Sequence, residues 1–138
     1  MWTFYAQEHQ GFCLGYNTSS ELFQRARPVV YTHSPNDVLH LQDPVMGNDP
    51  LSFCKSPDWQ FEREWRVCLP EAEPKRVDLS KEKLVSIHVG YRMKDAQLQE
   101  IAVALGRAGY KPDETKLFAM ERSPMSFLLS QRPIRWQA

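Results

Sequence analysis

Cysteine is scarce and odd in number: Cys13, Cys54 and Cys68, with no two at CxxC spacing. An odd set without paired spacing excludes a disulfide framework and reads as free thiols in a reducing compartment. Each is expected to be a small, buried, inert hydrophobe. A surplus of either charge is also lacking, since 17 Lys plus Arg balance 17 Asp plus Glu. Broad electrostatic binding to nucleic acid needs a basic surplus, so the net charge does not indicate nucleic acid. No apolar run approaches the roughly 20 residues of a membrane span. Residues 1–10 carry neither the basic start nor the apolar stretch of a secretory signal. These absences predict a cytoplasmic protein with no membrane partner. Metal-ligand spacing is missing: His33, His40 and His88 stand apart from other donors, and there is no HExxH or acidic DxDxDG loop. Glycine-rich phosphate loops and the GxSxG nucleophile turn are missing too.

What is present describes a globular chain. Its 138 residues suit one domain over residues 1–138, and 42% hydrophobic with 25% charged residues is the folded norm. A chain of this length buries roughly 65–70% of its unfolded surface, enough to need no staple. Met1-Trp2-Thr3-Phe4-Tyr5 opens at core-like density, whereas chain ends are usually polar and frayed. The expectation is a piece of a longer protein.

Hydrophobic periodicity marks the elements. Residues 2–9 have a short helical spacing through Trp2, Tyr5 and Ala6. Residues 11–16 read as a strand, and Ser20 as the cap of a short helix over 21–25. Residues 27–32 read as a second strand, with Pro28 where a missing N–H is tolerated. Residues 33–57 are rich in turn formers and predict a long loop, with one helical turn at 38–41. Residues 65–70 and 83–90 read as strands, the second apolar enough for the middle of a sheet. Asp95 reads as an N-cap; Leu98, Ile101, Ala102, Leu105 and Ala108 form one helical face, and Gly109 ends it. Residues 115–120 and 126–130 predict a hairpin turning at Ser123-Pro124. The sum is an α+β fold: a mostly antiparallel central sheet with a few helices packed on it.

Two groups of residues carry chemistry. In Glu62-Arg63-Glu64-Trp65-Arg66, strand alternation places Glu62, Glu64 and Arg66 on one face. Phe61, Arg63, Trp65 and Val67 share the other, with Trp65 directed into the core. Two carboxylates beside a guanidinium divide acid and base roles, or simply form ion pairs. In the second group, Tyr5 and His9 are four residues apart and share a face of a short helix. They suit an anionic or aromatic ligand; alternatively Tyr5 is core and His9 caps the helix end. A Cys13–His9 pair has no further support.

Certain blocks resemble a known family. They are Trp2-x-x-Tyr5-Ala6-x-x-His9-x-Gly11-Phe12-Cys13-Leu14, Val29-Val30-Tyr31, Lys55-x-x-x-Trp59-x-x-Glu62-x-Glu64-Trp65-Arg66, and Ile87-His88-Val89-Gly90. In this order they are similar to the bacterial domain of unknown function 2971, and they span most of the chain. The resemblance implies a C-terminal portion of a larger family domain, but it supplies no reaction. It also adds Lys55 to the carboxylate cluster.

Glu62-Arg63-Glu64 is similar to the E-x-E pair of ADP-ribosyltransferases. That likeness implies Glu64 as catalytic carboxylate, Glu62 as its helper, and NAD as cofactor or substrate. Two readings stay open. One is an enzyme or enzyme remnant for a nucleotide-type ligand, with Tyr5, His9, Tyr31, Lys55, Trp59 and Arg66 as binding residues. The other is a non-catalytic interaction domain in which the Lys, Glu, Arg and Trp residues form a structural network.

Overall fold

The strongest apolar run, around Ile87, forms an interior strand of the main sheet. The computed structural model describes residues 2–37, 50–69, 77–79, 82–126 and 128–137. The chain divides into two compact units, Met1–Asn17 with Glu82–Ala138, and Thr18–Lys81.

In the first unit, strand β1 (Phe12–Tyr16) is followed after the second unit's elements by β6 (Leu84–Val89), helix α3 (Asp95–Arg107), β7 (Lys116–Arg122) and β8 (Leu129–Ile134). The sheet order is β1-β6-β7-β8. β1–β6 and β7–β8 are antiparallel, and β6–β7 is parallel. The fold is therefore α+β with a mostly antiparallel sheet. A parallel pair needs a long crossover, and α3 supplies it. Leu84, Ile87, Val89, Leu105, Leu117 and Trp136 are buried together, with Leu98, Ile101 and Ala102 of α3 packed against them. Two polar groups in this core are satisfied: Thr115 Oγ1 donates to Leu84 O at 2.9 Å, and Trp136 Nε1 donates to Thr115 O at 3.1 Å.

The ends of α3 show what local chemistry decides. The N-cap is Lys94, one residue before the expected Asp95, because Lys94 keeps an extended backbone and its N–H donates to Gln97 Oε1 at 3.3 Å. At the other end Gly109 takes φ +79°, and Tyr110 N–H donates to Leu105 O at 3.0 Å. This Schellman closure needs a residue with little left-handed penalty, as the sequence predicts.

The opening helix is shorter than its spacing suggests. α1 covers only Trp2–Tyr5. Gln7, Glu8 and His9 then take φ of 47°, 53° and 69°, a left-handed run that no helix continues through. Tyr5 and His9 therefore do not share a helical face, which corrects that expectation. Nor is Tyr5 core, since it is 63% exposed. The left-handed run folds the chain back, with His9 N–H donating to Trp2 O at 3.3 Å and Gly11 N–H to Ala6 O at 2.8 Å. The His9 ring stacks 6.3 Å from Trp2 and lies 4.6 Å from Tyr91.

The second unit has short elements. Ser20 caps α2 (Glu21–Gln24) through its Oγ, which accepts from Phe23 N–H at 3.4 Å. The expected strand over 27–32 is two pieces, β2 (Arg27–Pro28) and β3 (Val30–Tyr31). They part because the chain changes partner at Val29: β2 pairs antiparallel with β5 (Trp65–Arg66), and β3 pairs parallel with β4 (Cys54–Lys55). Within the expected loop, Pro35–Asp37 and Pro50–Phe53 are 3₁₀ turns. The helical turn expected at 38–41, with His40, lies outside the described residues. Among the described residues of this unit, Phe53 and Val29 are the buried apolar ones.

Candidate functional site

The Glu-Arg-Glu-Trp-Arg stretch is not the continuous strand that alternation predicts. Pro57–Glu62 is a 3₁₀ helix, entered at Ser56, whose side chain accepts from Asp58 N–H, with Pro57 as its first residue. It ends at Arg63, which takes a left-handed conformation of φ 48° and ψ 47°. Only Trp65 and Arg66 are strand. The alternation argument fails with the strand: Trp65 and Phe61 are 65% and 58% exposed, so neither is core. The physical reason is that the proline-initiated helix and the reversal at Arg63 reset the side-chain phase.

The same reversal nevertheless brings the charges together. Lys55 arrives on β4, held beside β3 by Thr32 N–H donating to Lys55 O at 3.0 Å. Its Nζ bonds Glu62 Oε2 and lies 3.3 Å from Glu64 Oε2. Arg66 reaches Glu64 from the same side of the chain, with Nε 2.7 Å from Oε1 and Nη2 3.0 Å from Oε2. This two-pronged fork is the strong form of a carboxylate pair. Arg66 Nη1 also donates to Ser52 O at 2.6 Å. Tyr31 takes part through its hydroxyl, which accepts from Glu64 N–H at 2.9 Å. Trp59 lies under the ammonium, with Lys55 Nζ 4.9 Å from its ring centroid.

Lys55, Glu62, Glu64, Arg66, Tyr31 and Trp59 are thus brought together within the Thr18–Lys81 unit. Tyr5 and His9 belong to the other unit. Ser52 is the contributor that sequence reasoning missed; its backbone carbonyl does the binding, so no side-chain signal points to it.

The electrostatics fix the charge state of Glu64. Glu64 has its pKa lowered, first by the hydrogen bonds from Arg66; burial opposes this, and the bond from Lys55 and both charges add to it. Arg66 is correspondingly raised, first by its bond to Glu64. Glu64 is therefore a fixed anion at neutral pH and not a proton donor. A carboxylate lowered in the folded state stabilises above its ordinary value of 4.5, and that contribution is lost as pH falls through the folded value. We expect Glu64→Gln to remove this part of the acid sensitivity. Melting curves from pH 7 to 3 check it: the gap between wild type and variant should shrink as pH drops below about 4.5.

The cysteines depart from expectation. Cys54 and Cys68 are half-buried and Cys13 is exposed, so none is the fully buried hydrophobe its type suggests. Among the described residues, no group of three or more His, Cys, Asp or Glu is placed to hold a metal. Among the same residues, no helix is long and apolar enough to cross a membrane.

An α+β chain with an ordered Lys-Glu-Glu-Arg cluster is the class that fold and site define. Comparison with protein families adds that residues 1–67 match the family described as a protein of unknown function, DUF2971. The match takes in the Trp2, Tyr31 and Glu64 blocks and stops short of Ile87-His88-Val89-Gly90. The likeness therefore covers 67 of 138 residues rather than most of the chain, and it lends nothing to a C-terminal placement within the family. No curated protein and no solved structure matches the chain.

Proposed function

We propose that the Thr18–Lys81 unit binds a nucleotide-type ligand, with Glu64 as the working carboxylate and NAD as the first ligand to test. The observation that carries this is a gradient of exposure through the cluster. Side-chain exposure is 4% at Glu62, 19% at Lys55, 28% at Arg66 and 31% at Glu64. Glu62 is the buried anchor that holds Lys55. Lys55 and Arg66 hold Glu64, and Glu64 is the acid that a ligand can reach. A carboxylate kept ionised and immobile suits electrostatic stabilisation of developing positive charge, a task that needs no proton transfer.

In an ADP-ribosyl transfer, the bond from ribose C1 to the nicotinamide nitrogen breaks and its electron pair leaves with nicotinamide. The oxocarbenium-like centre is taken by an acceptor nucleophile, which gives up a proton. Glu64 would stabilise that centre, while Glu62 stays a positioning residue. Trp59 and Tyr31 supply aromatic surface beside it, and Arg66 a cation suited to phosphate.

A second reading is favoured by a different observation: each of the four charges faces an opposite charge within the cluster. That balance is what a structural clamp in a non-catalytic interaction domain requires. Calorimetry with NAD and AMP separates the two, and thermal melts check that the variant is folded. On the ligand reading, wild type gives heat with NAD, and Glu64→Gln weakens binding at least about tenfold, the loss of one charged hydrogen bond. On the clamp reading neither protein gives heat; the variant's loss of about 1–3 kcal/mol of stability accompanies either reading, because Arg66 and Lys55 hold Glu64 in both.

A further inference from the structure

We propose that β1 is a docking edge for a second copy of this chain, whose own β1 adds antiparallel to it and joins the two main sheets. β1 is an outer strand, paired with β6 on one side. Its backbone bonds account for that side. Gly90 N–H donates to Gly11 O at 2.9 Å, one step beyond the Phe12–Val89 pair. Bonded and non-bonded pairs alternate along an antiparallel ladder, so the bonded pairs that follow are Cys13–His88 and Gly15–Ser86. Phe12 and Leu14 therefore turn their N–H and C=O groups away from β6. Among the described residues, the one bond to these groups is weak, from Cys13 Sγ to Leu14 O at 3.9 Å. A row of unspent donors and acceptors is a template for another strand.

What the edge presents selects its occupant. Phe12–Tyr16 holds neither charge nor proline, the devices that keep an edge from pairing. The other outer strand, β8, holds both in Arg132 and Pro133, and a proline has no N–H to give. A run of copies joined β1 to β8 is therefore disfavoured, whereas β1 on β1 closes as a two-fold pair. The register follows from the outward groups. The irregularity between Gly15 and Tyr16 ends the straight ladder there. The register that uses both residues of both copies then sets Phe12 against the partner's Leu14, and Leu14 against the partner's Phe12. Phe12 and Leu14 stand opposite the buried Val89 and Ile87, yet are 52% and 40% exposed. Paired across the seam, they continue the apolar layer of the core from one copy into the next.

The same register puts Cys13 on the two-fold axis. There it faces the partner's Cys13 as a non-bonded pair, with Cα atoms about 4.5 Å apart. A disulfide spans roughly 4.4–6.8 Å between Cα atoms, so the two thiols can be linked. Cys13 is exposed, whereas Cys54 and Cys68 are half-buried. Cys13 is thus a reporter of the register; the pairing itself needs no disulfide. With diamide as oxidant, the paired thiols lose two protons and two electrons as the sulfur–sulfur bond forms, and diamide is reduced to its hydrazine.

The test uses the whole chain. Under reducing conditions, sedimentation velocity from about 5 to 500 µM should show monomer passing into dimer, the range expected of a small interface. Diamide at about 100 µM protein should link Cys13 to Cys13 about tenfold faster than in urea, since pairing raises the effective concentration to the millimolar range. Mass spectrometry of proteolytic peptides identifies the bond. Leu14→Lys, which sets a charge on the edge, should weaken the dimer about tenfold or more and keep its melting transition. A chain that stays monomeric over the whole range overturns the proposal and leaves the edge to a strand of another protein. A dimer in which Cys13 links no faster than in urea also overturns it, whether or not Leu14→Lys folds. So does a folded Leu14→Lys that dimerises as the wild type does.

Discussion

Lys55→Met should lower the stability of the Thr18–Lys81 unit by about 3–5 kcal/mol, the cost of breaking a buried ion pair by removing one partner. Lys55 is the cation that both acids face: it bonds Glu62, whose side chain is 4% exposed, and lies 3.3 Å from Glu64. Met keeps much of the chain's length and apolar stem, so packing against Trp59 is largely retained and the loss reports charge. Exposed pairs of the same kind are worth about 0–1 kcal/mol. The Arg132–Glu121 pair, whose side chains are 59% and 48% exposed, is the internal comparison. Chemical denaturation of the two variants measures the difference. A loss at Lys55→Met no larger than at Arg132→Met would remove Glu62 as the buried anchor of the cluster, and the division of roles proposed for the two acids with it.

Gly90→Ala should be comparably damaging, at about 3 kcal/mol or more, for an unrelated reason. A Cβ on Gly90 would stand 2.1 Å from His9 O and 2.5 Å from His9 C. Both are backbone atoms, so no side-chain rotation relieves the clash. The surrounding backbone is pinned as well: Gly90 N–H donates to Gly11 O at 2.9 Å, and Arg92 N–H to His9 O at 3.0 Å. The left-handed run through Gln7, Glu8 and His9 is what brings His9 against Gly90. A melting temperature lowered by about 10 °C or more is the expected result. An unchanged melt would mean that this run relaxes freely.

The regular parts of this protein were legible because their signals are local. The helical face from Leu98 to Leu105 and the left-handed stop at Gly109 follow from spacing and from glycine's lack of a Cβ. The apolar run of β6 needed only its own composition to mark it as an interior strand. The cluster was half legible. Lys55, Glu64 and Arg66 do meet, but not by the strand alternation that suggested the acids' shared face. Pro57 starts a 3₁₀ helix and Arg63 reverses the chain, and alternation takes no account of either.

By itself, then, the sequence determined the α+β class, the capped helix, the interior strand and the residue types gathered around Glu64. Each of these depends on neighbours within a turn or a strand's length. Only the tertiary structure decided that Trp65 faces outward, that Tyr5 and His9 share no helical face, and that β1 pairs with β6 in the register that sets Cys13 opposite His88. Those outcomes depend on register and on left-handed backbone at Arg63 and at residues 7–9, which no short-range pattern of apolar and polar residues encodes.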